Sequence, residues 1–272
     1  MASHGRVIVG ISGGVDSAVA ALRLKDQGWA VEALHMTNWE DGDEHCTAGA
    51  DLAAARQVCA DLGVTLHHAN FSREYREQVF AGFLADLAAG RTPNPDVACN
   101  RQIKFGAFLA HALRLGADHI ATGHYARVAT GADGQPRLFR AADRAKDQTY
   151  FLHAIEPAAL ARVLFPLGDL RKDEVRRLAR DYGLANHARK DSTGICFVGE
   201  RPFRQFLAGH LEATPGPIIT TTGEEVGRHD GLPFYTLGQR QGLGIGGRRG
   251  GAAAPWFVVA KDAGRNALVV VQ

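Results

Sequence analysis

A six-residue string, Ser12-Gly13-Gly14-Val15-Asp16-Ser17, separates the first apolar run of the chain from the first helical pattern. The run from Arg6 to Ile11 predicts a buried parallel strand, and a helix is predicted from about Asp16 to Gln27. Glycines at such a turn let backbone N–H groups close around an anion, and the N-terminus of the helix adds a partial positive charge. The string therefore predicts a phosphate-binding loop in an α/β protein.

Strand and helix patterns continue to alternate beyond this loop, with a helix predicted at Phe105–Leu115 and a strand at His119–Thr122. Strands that alternate with helices at this pitch predict βαβ units and a doubly wound parallel sheet. Glycines then become frequent and the apolar runs shorten, which predicts a small β-rich domain. We place the α/β domain at residues 1–206 and the β-rich domain at residues 207–272.

Composition excludes several classes of protein. Of the 272 residues, 46% are hydrophobic and 22% are charged, which is the balance of a soluble globular protein and not of a disordered one. No apolar run approaches the roughly 20 residues of a membrane span, and the apolar stretch at Val7–Ile11 is too short for a signal peptide. We therefore expect a cytoplasmic protein with no membrane partner.

Basic residues are concentrated in the second half of the chain. Residues 1–159 hold 15 Lys/Arg against 18 Asp/Glu, whereas residues 160–272 hold 16 against 11. On the helix predicted from residue 172 to 182, Lys172, Arg176 and Arg180 share one side. This side is expected to meet the phosphates of a polyanion, or else to be an ordinary solvated surface.

The phosphate loop is specific as a whole string. It lacks the lysine of a Walker A motif, and it matches the pyrophosphate loop of the ATP pyrophosphatase superfamily. That resemblance implies cleavage of ATP to AMP and pyrophosphate, with adenylation of a carbonyl or amide oxygen. Asp16 would suit a Mg²⁺ ion that bridges the phosphates, although the helix dipole alone also favours an acid at this position.

The chain has four cysteines, which are Cys46, Cys59, Cys99 and Cys196. They show no Cys-x-x-Cys spacing, so zinc and thioredoxin-like sites are disfavoured. Cys99 precedes a predicted helix and Cys196 follows Arg189 and Lys190, and both settings favour a thiolate. Two such thiols beside an adenylating site suggest sulfur transfer through a persulfide, closed by disulfide formation. The alternative for each of these two residues is a buried cysteine with a purely structural role.

The other two cysteines carry no predicted chemistry. Cys59 is expected in the core, and Cys46 matches no catalytic motif.

Seven strings carry a closer resemblance and run almost from end to end. They lie at residues 10–17, 92–100, 103–105, 121–126, 146–152, 192–197 and 235–240. With these strings the chain resembles the tRNA-specific 2-thiouridylase family. The resemblance implies ATP-dependent 2-thiolation of the wobble uridine (position 34) of tRNA. It implies ATP and Mg²⁺ as cofactors, and as partners tRNA and a sulfur donor protein, either a cysteine desulfurase or a sulfur-relay carrier.

The resemblance also implies roles for individual residues. ATP would be held by Gly10, Ile11, Ser12, Gly13, Gly14, Val15, Asp16, Ser17, Met36 and Gly123. The target uracil would be surrounded by Asn94, Pro95 and Asp96, and tRNA would also be contacted by His124, Lys146, Asp147 and Gln148. Cys196 would carry the sulfur as a persulfide, and Cys99 would be its partner. Asp96 would act as an acid or base near the uracil, or only position the base.

Two other functions stay open on the residues alone. One is a different ATP pyrophosphatase, such as an amidotransferase-type ligase or a lysidine synthase, which would not need Cys99 and Cys196. The other is a non-catalytic module that binds tRNA or a nucleotide, against which the presence of Asp16 and both cysteines argues. Members of the family carry a third, C-terminal β-barrel domain that helps to grip tRNA, and we expect that domain to be missing from this sequence.

Overall fold

A computed structural model of the chain describes residues 4–40, 48–190, 202–245 and 254–272. Cys46 and Cys196 lie outside the described residues. In the part of the chain that is described, no helix is both long enough and apolar enough to cross a bilayer.

The chain divides into two compact units. The first consists of Met1–Phe80 and Pro95–Glu200, and the second consists of Ala81–Asn94 and Arg201–Gln272. The domain boundary that we placed after residue 206 stays a prediction.

A five-stranded parallel sheet forms the centre of the first unit, in the order β3-β2-β1-β4-β7, and an antiparallel hairpin, β5-β6, follows β4 in the chain. The strands are β1 (Arg6–Gly10), β2 (Ala30–Thr37), β3 (Leu66–Asn70), β4 (His119–Ala121), β5 (Ala126–Thr130), β6 (Pro136–Arg140) and β7 (Val163–Leu164). The apolar run of β1 is continuous because this central strand is covered on both faces, and Val7, Ile8 and Val9 are all fully buried.

The helices of the first unit connect these parallel strands. They are α1 (Val15–Asp26), α2 (Ala48–Leu62), α3 (Ser72–Tyr75), which continues as a π-helical turn at Arg76–Phe80, α5 (Pro95–Cys99), a π-helical stretch at Asn100–Ala107, α6 (Phe108–Arg114), α7 (Thr149–Leu152), α8 (Pro157–Leu160) and α9 (Lys172–Asp181). Right-handed crossovers place α1 and α2 on one face of the sheet, and the helices of the first unit that lie between β3 and β4 on the other. The predicted doubly wound parallel sheet is therefore confirmed.

The strand order reverses between β1 and β4, and ligands of open α/β sheets bind where the carboxyl ends of the strands flank such a reversal. The loop from Ile11 to Gly14 follows β1 at this edge, and Thr122 and Gly123 follow β4. The topology therefore brings the predicted phosphate loop and Gly123 to one place.

The second unit contains helices α4 (Ala81–Ala88) and α10 (Phe203–Ala208) and a four-stranded mixed sheet in the order β10-β11-β8-β9. Its strands are β8 (Gly216–Thr220), β9 (Glu225–His229), β10 (Phe257–Asp262) and β11 (Ala267–Val271). Ile218, Val258 and Leu268 lie in its small core. The predicted β-rich region is confirmed, and β9 is a strand that we did not predict.

Candidate active site

The glycine loop between β1 and α1 is shaped by its own residues. Gly13 has a φ of +80°, and a Cβ atom there would lie 2.7 Å from Ala54 Cβ on α2, so no other residue fits without displacement. The Ser12 N–H donates to Ser17 Oγ at 3.3 Å, and the Ser17 hydroxyl donates to the Gly14 carbonyl at 3.1 Å. The loop is thus held open at the N-terminus of α1, where backbone N–H groups favour a phosphate.

Gly123 touches the loop from the neighbouring strand. A Cβ atom at Gly123 would lie 2.7 Å from both the carbonyl carbon of Asp16 and the nitrogen of Ser17. On the other side, a Cβ atom at Gly10 would lie 3.5 Å from the terminal methyl group of Met36. Residues from β1, β2 and the end of β4 that we expected to bind ATP are therefore neighbours in space.

Asp16 faces a lysine that comes from α9. The Lys172 ammonium donates to both carboxylate oxygens of Asp16, at 2.7 and 2.8 Å, and the Tyr125 hydroxyl donates to Oδ1 at 2.8 Å. The Lys172 side chain is only 12% exposed. The loop lacks its own lysine, and α9 supplies one from 156 positions away along the chain. We expected the side of this helix that carries Lys172 either to meet the phosphates of a polyanion or to be an ordinary solvated surface, and the structure instead places Lys172 against the phosphate loop.

The residues just after α9 also hold the loop. Asn186 Nδ2 and the Arg189 guanidinium donate to the Gly13 carbonyl at 2.9 and 3.2 Å, and Arg189 pairs with Asp51 at 2.7 Å. Arg176 donates to the Arg189 carbonyl at 3.3 Å, so it too is directed inward. These hydrogen bonds hold Asn186 and Arg189 against the loop. The two residues come shortly before Cys196 in the sequence.

The helix that carries Cys99 begins ten residues earlier than we predicted. It starts at Pro95, because proline at a first helical position loses no hydrogen bond and already has a helical φ. Cys99 is therefore the fifth helical residue and not a residue ahead of the helix, and it is only 3% exposed. Asn100 follows it and donates from Nδ2 to the Phe151 carbonyl at 3.0 Å, which ties this helix to α7.

Asp96 lies about one helical turn before Cys99, and both Asp96 and His124 are partly shielded from water. Burial raises the pKa of Asp96, and the nearby charge of Lys104 opposes that rise. Burial holds the pKa of His124 well below its ordinary value, and Lys104 lowers it further, so His124 is neutral at pH 7. His124 Nδ1 is 2.8 Å from Thr122 Oγ1, and its ring centroid is 5.9 Å from that of Phe105.

Comparison with known proteins identifies the family. The family model described as tRNA methyl transferase HUP domain matches residues 5–200. The family model described as tRNA methyl transferase PRC-barrel domain matches residues 204–272. A tRNA-specific 2-thiouridylase of Alcanivorax borkumensis is 58% identical over 269 residues, which cover 98% of this chain and 73% of the relative. One of Legionella pneumophila is 57% identical over 270 residues, covering 98% and 74%. The chain belongs to the tRNA-specific 2-thiouridylase family.

Among solved structures, the U34-tRNA thiolase NcsA from Methanococcus maripaludis aligns with a TM-score of 0.45 at 19% identity, covering 76% of this chain and 64% of that one. A likeness of this size supports no statement about function.

The segment that the thiouridylase resemblance assigns to tRNA is well ordered by its own hydrogen bonds. Asp147 accepts from the Ala141 N–H at 2.7 Å and from both the N–H and the hydroxyl of Thr149. Gln148 Oε1 accepts from the Tyr125 N–H at 3.0 Å. Lys146 is exposed. These bonds favour a structural contribution from Asp147 and Gln148, and their contact with tRNA stays a prediction.

Gly123→Ala is expected to weaken ATP binding by about tenfold or more, because the added methyl group would push the backbone at Asp16 and Ser17 out of place. Isothermal titration with a non-hydrolysable ATP analogue measures this. Gly82→Ala is the control, because Gly82 is the second residue of α4, nothing lies within 4 Å of its Cβ position and alanine favours a helix. Equal ATP affinity in both variants would show that the close approach at Gly123 is not needed.

Cys59 is expected to be chemically inert. It is 3% exposed and burial raises the pKa of its thiol to about 11, so roughly 0.1% is thiolate at pH 8. Labelling with iodoacetamide, read by peptide mass spectrometry, should therefore be far slower at Cys59 in the native protein than in the unfolded protein. Cys59→Ser should keep most of the activity. Rapid native labelling would contradict the placement of this thiol in the core.

Proposed function

We propose that this thiouridylase adenylates the C2 oxygen of the wobble uridine of tRNA with ATP and then replaces that oxygen with sulfur carried on Cys196. The observation that carries the proposal is the phosphate loop at the reversal of the strand order, faced by Asp16 and Lys172. The domain models carry the name of a methyl transferase, whereas the relatives that are 57–58% identical are named 2-thiouridylases. We follow the relatives, because a loop built for phosphates suits a reaction that consumes ATP.

The loop and its surroundings fit a Mg²⁺–ATP complex. Mg²⁺ prefers oxygen ligands and takes one or two carboxylates together with phosphate oxygens and water, so the single carboxylate of Asp16 is sufficient. The ion would neutralise phosphate charge during adenylation. Lys172 now occupies both oxygens of Asp16, and in the proposed site it would turn to the phosphates when Asp16 holds the ion.

The proposed reaction has two stages that balance. The uracil O2 attacks the α-phosphorus of ATP and pyrophosphate leaves, with loss of the N3 proton. The Cys99 thiol then attacks the inner sulfur of the Cys196 persulfide and releases hydrosulfide, which attacks C2 and expels AMP together with the former O2. Direct attack by the persulfide, followed by Cys99, is the alternative order. Either order leaves a Cys99–Cys196 disulfide that an external thiol must reduce.

Asp96 is the proposed proton acceptor for uracil N3, because burial raises the pKa of its carboxyl toward the range in which a base is effective. Asn94 and Pro95 would help to enclose the base. A uridine in an anticodon loop must leave its stack to enter such a pocket. His124 and Lys146 are proposed further contacts with tRNA. A cysteine desulfurase or a relay carrier would supply the sulfur, and we propose that these partners meet the enzyme in the cytoplasm.

The deciding experiment is incubation with ATP, Mg²⁺, a persulfide donor and unmodified tRNA, followed by mass spectrometry of the nucleosides. We expect 2-thiouridine that depends on ATP, with one AMP per thiouridine. Replacing Cys99 or Cys196 by serine should abolish the product. Pyrophosphate release with no thiouridine would indicate a different adenylating enzyme, and tRNA binding without pyrophosphate release would indicate a binding module.

A further inference from the structure

A π-helical stretch follows Cys99 and changes which side chains share a face. Lys104 lies eight positions after Asp96, and in an α-helix two residues at that spacing are offset by about 80° around the axis. The stretch Asn100–Ala107 has wider i→i+5 turns and rotates less per residue, which brings Lys104 back toward the side of Asp96. Such stretches are often found at functional sites. The wider turns here therefore direct a cation toward the carboxylate expected beside the uracil.

Lys104 also lies close enough to His124 for its charge to lower the pKa of that imidazole. Its neighbour Phe105 packs against the rings of His124 and Phe165, each with a centroid separation of 5.9 Å. His124 in turn follows Gly123, which touches the backbone of Asp16 and Ser17. The charge of Lys104 opposes the rise in the pKa of Asp96 and lowers the pKa of His124, so the three side chains interact electrostatically.

The Lys104 ammonium makes no hydrogen bond or ion pair with any residue that the structure describes, although the Lys104 side chain is partly buried. Arg101, three positions earlier in the same π-helical stretch, is different: it pairs with Glu156 at 2.8 Å, and both side chains are at least half exposed. The stretch thus carries one cation that is engaged at the surface and one that is held beside Asp96 and His124.

We propose that Lys104 is a catalytic residue that binds the α-phosphate of the adenylated uridine and neutralises it as AMP leaves. This inference rests on the proposed function. The adenylate joins the uracil, expected beside Asp96, to the phosphate loop, which adjoins Gly123, so its α-phosphate must lie between the two. The charge of Lys104 acts on Asp96 on one side and on His124, the neighbour of Gly123, on the other, so we place its ammonium at this phosphate. When sulfur attacks C2, the C2–O bond breaks and its electron pair goes to the AMP phosphate. A fixed cation at that point stabilises the charge that develops.

The test compares Lys104→Met, Lys104→Arg and the control Arg101→Met. We expect Lys104→Met to lower the rate of 2-thiouridine formation by about 100-fold or more, the usual effect of removing one such stabilising donor. The dissociation constant for ATP and the KM for tRNA should change by less than about threefold, and Lys104→Arg should recover part of the rate because it keeps the charge. Arg101→Met should behave as the wild type. A Lys104→Met rate within threefold of the wild type would overturn the proposal.

A second measurement does not depend on activity. NMR titration of the Asp96 carboxyl and the His124 imidazole reports whether Lys104 faces them. Removing the cation should raise both pKa values, because a nearby positive charge disfavours the protonated form of either group. Arg101→Met should move neither, and two unmoved pKa values in Lys104→Met would overturn the placement. If the wild type forms no 2-thiouridine, the proposed function fails, and this titration still tests the position of Lys104.

Discussion

Asp16→Ala is expected to reduce Mg²⁺-dependent pyrophosphate release in the presence of tRNA by about 100-fold or more. The substitution removes the only carboxylate that the described part of the loop offers to the ion, and with it the salt bridge to the Lys172 ammonium. The fold should survive, because neither Asp16 nor Lys172 belongs to the apolar core of the first unit. A pyrophosphate assay and a thermal melt measure the two effects separately.

Asp26→Ala is the matched control for that substitution. Asp26 is an exposed acid at the opposite end of the same helix, where the helix dipole makes a negative charge mildly unfavourable. This control should release pyrophosphate as the wild type does. A double variant, Asp16→Ala with Lys172→Met, should lose little more than Asp16→Ala alone, because the two groups act on the same phosphates. Unchanged pyrophosphate release from Asp16→Ala would remove the loop from the reaction.

The features that the sequence predicted correctly are those that depend on neighbouring residues. The glycine turn between the first strand and the first helix and the continuous apolar run of β1 both follow from the residues of these segments themselves. The same holds for α9, which ends within one residue of the prediction. Such elements need no knowledge of what packs against them.

The features that the sequence did not reveal depend on contacts between distant parts of the chain. Lys172 looked like one member of a basic helical side, and only the packing of α9 against α1 shows that it neutralises Asp16. The start of the Cys99 helix was placed too late because the polar residues between 100 and 102 interrupt the apolar period, and a π-helical stretch follows no α-helical period. Gly123 was singled out only by resemblance, whereas its contact with Asp16 gives a physical reason.

Cys99→Ser and Cys196→Ser are each expected to reduce 2-thiouridine formation below about 1% of the wild-type rate, because a persulfide carrier needs a second thiol to resolve it. Pyrophosphate release with tRNA present should stay within about threefold in both variants, since adenylation uses the loop and not the thiols. Cys46→Ser and Cys59→Ser are the matched controls, and both should keep most of the activity. Nucleoside mass spectrometry and a pyrophosphate assay on the same reactions make the distinction.

The burial of Cys99 adds a second expectation to this pair. At 3% exposure its sulfur is closed to bulk reagents, so resolution of a persulfide on Cys196 requires the Cys99 sulfur to become accessible during the reaction. A disulfide forms only when the Cα atoms come within about 7 Å. One turnover without external thiol should therefore leave a Cys99–Cys196 disulfide in the wild type, detectable by peptide mapping, and native Cys99 should label slowly before tRNA is added. If Cys196→Ser forms 2-thiouridine from a persulfide donor at the normal rate, Cys196 is not the sulfur carrier, whatever the state of Cys99.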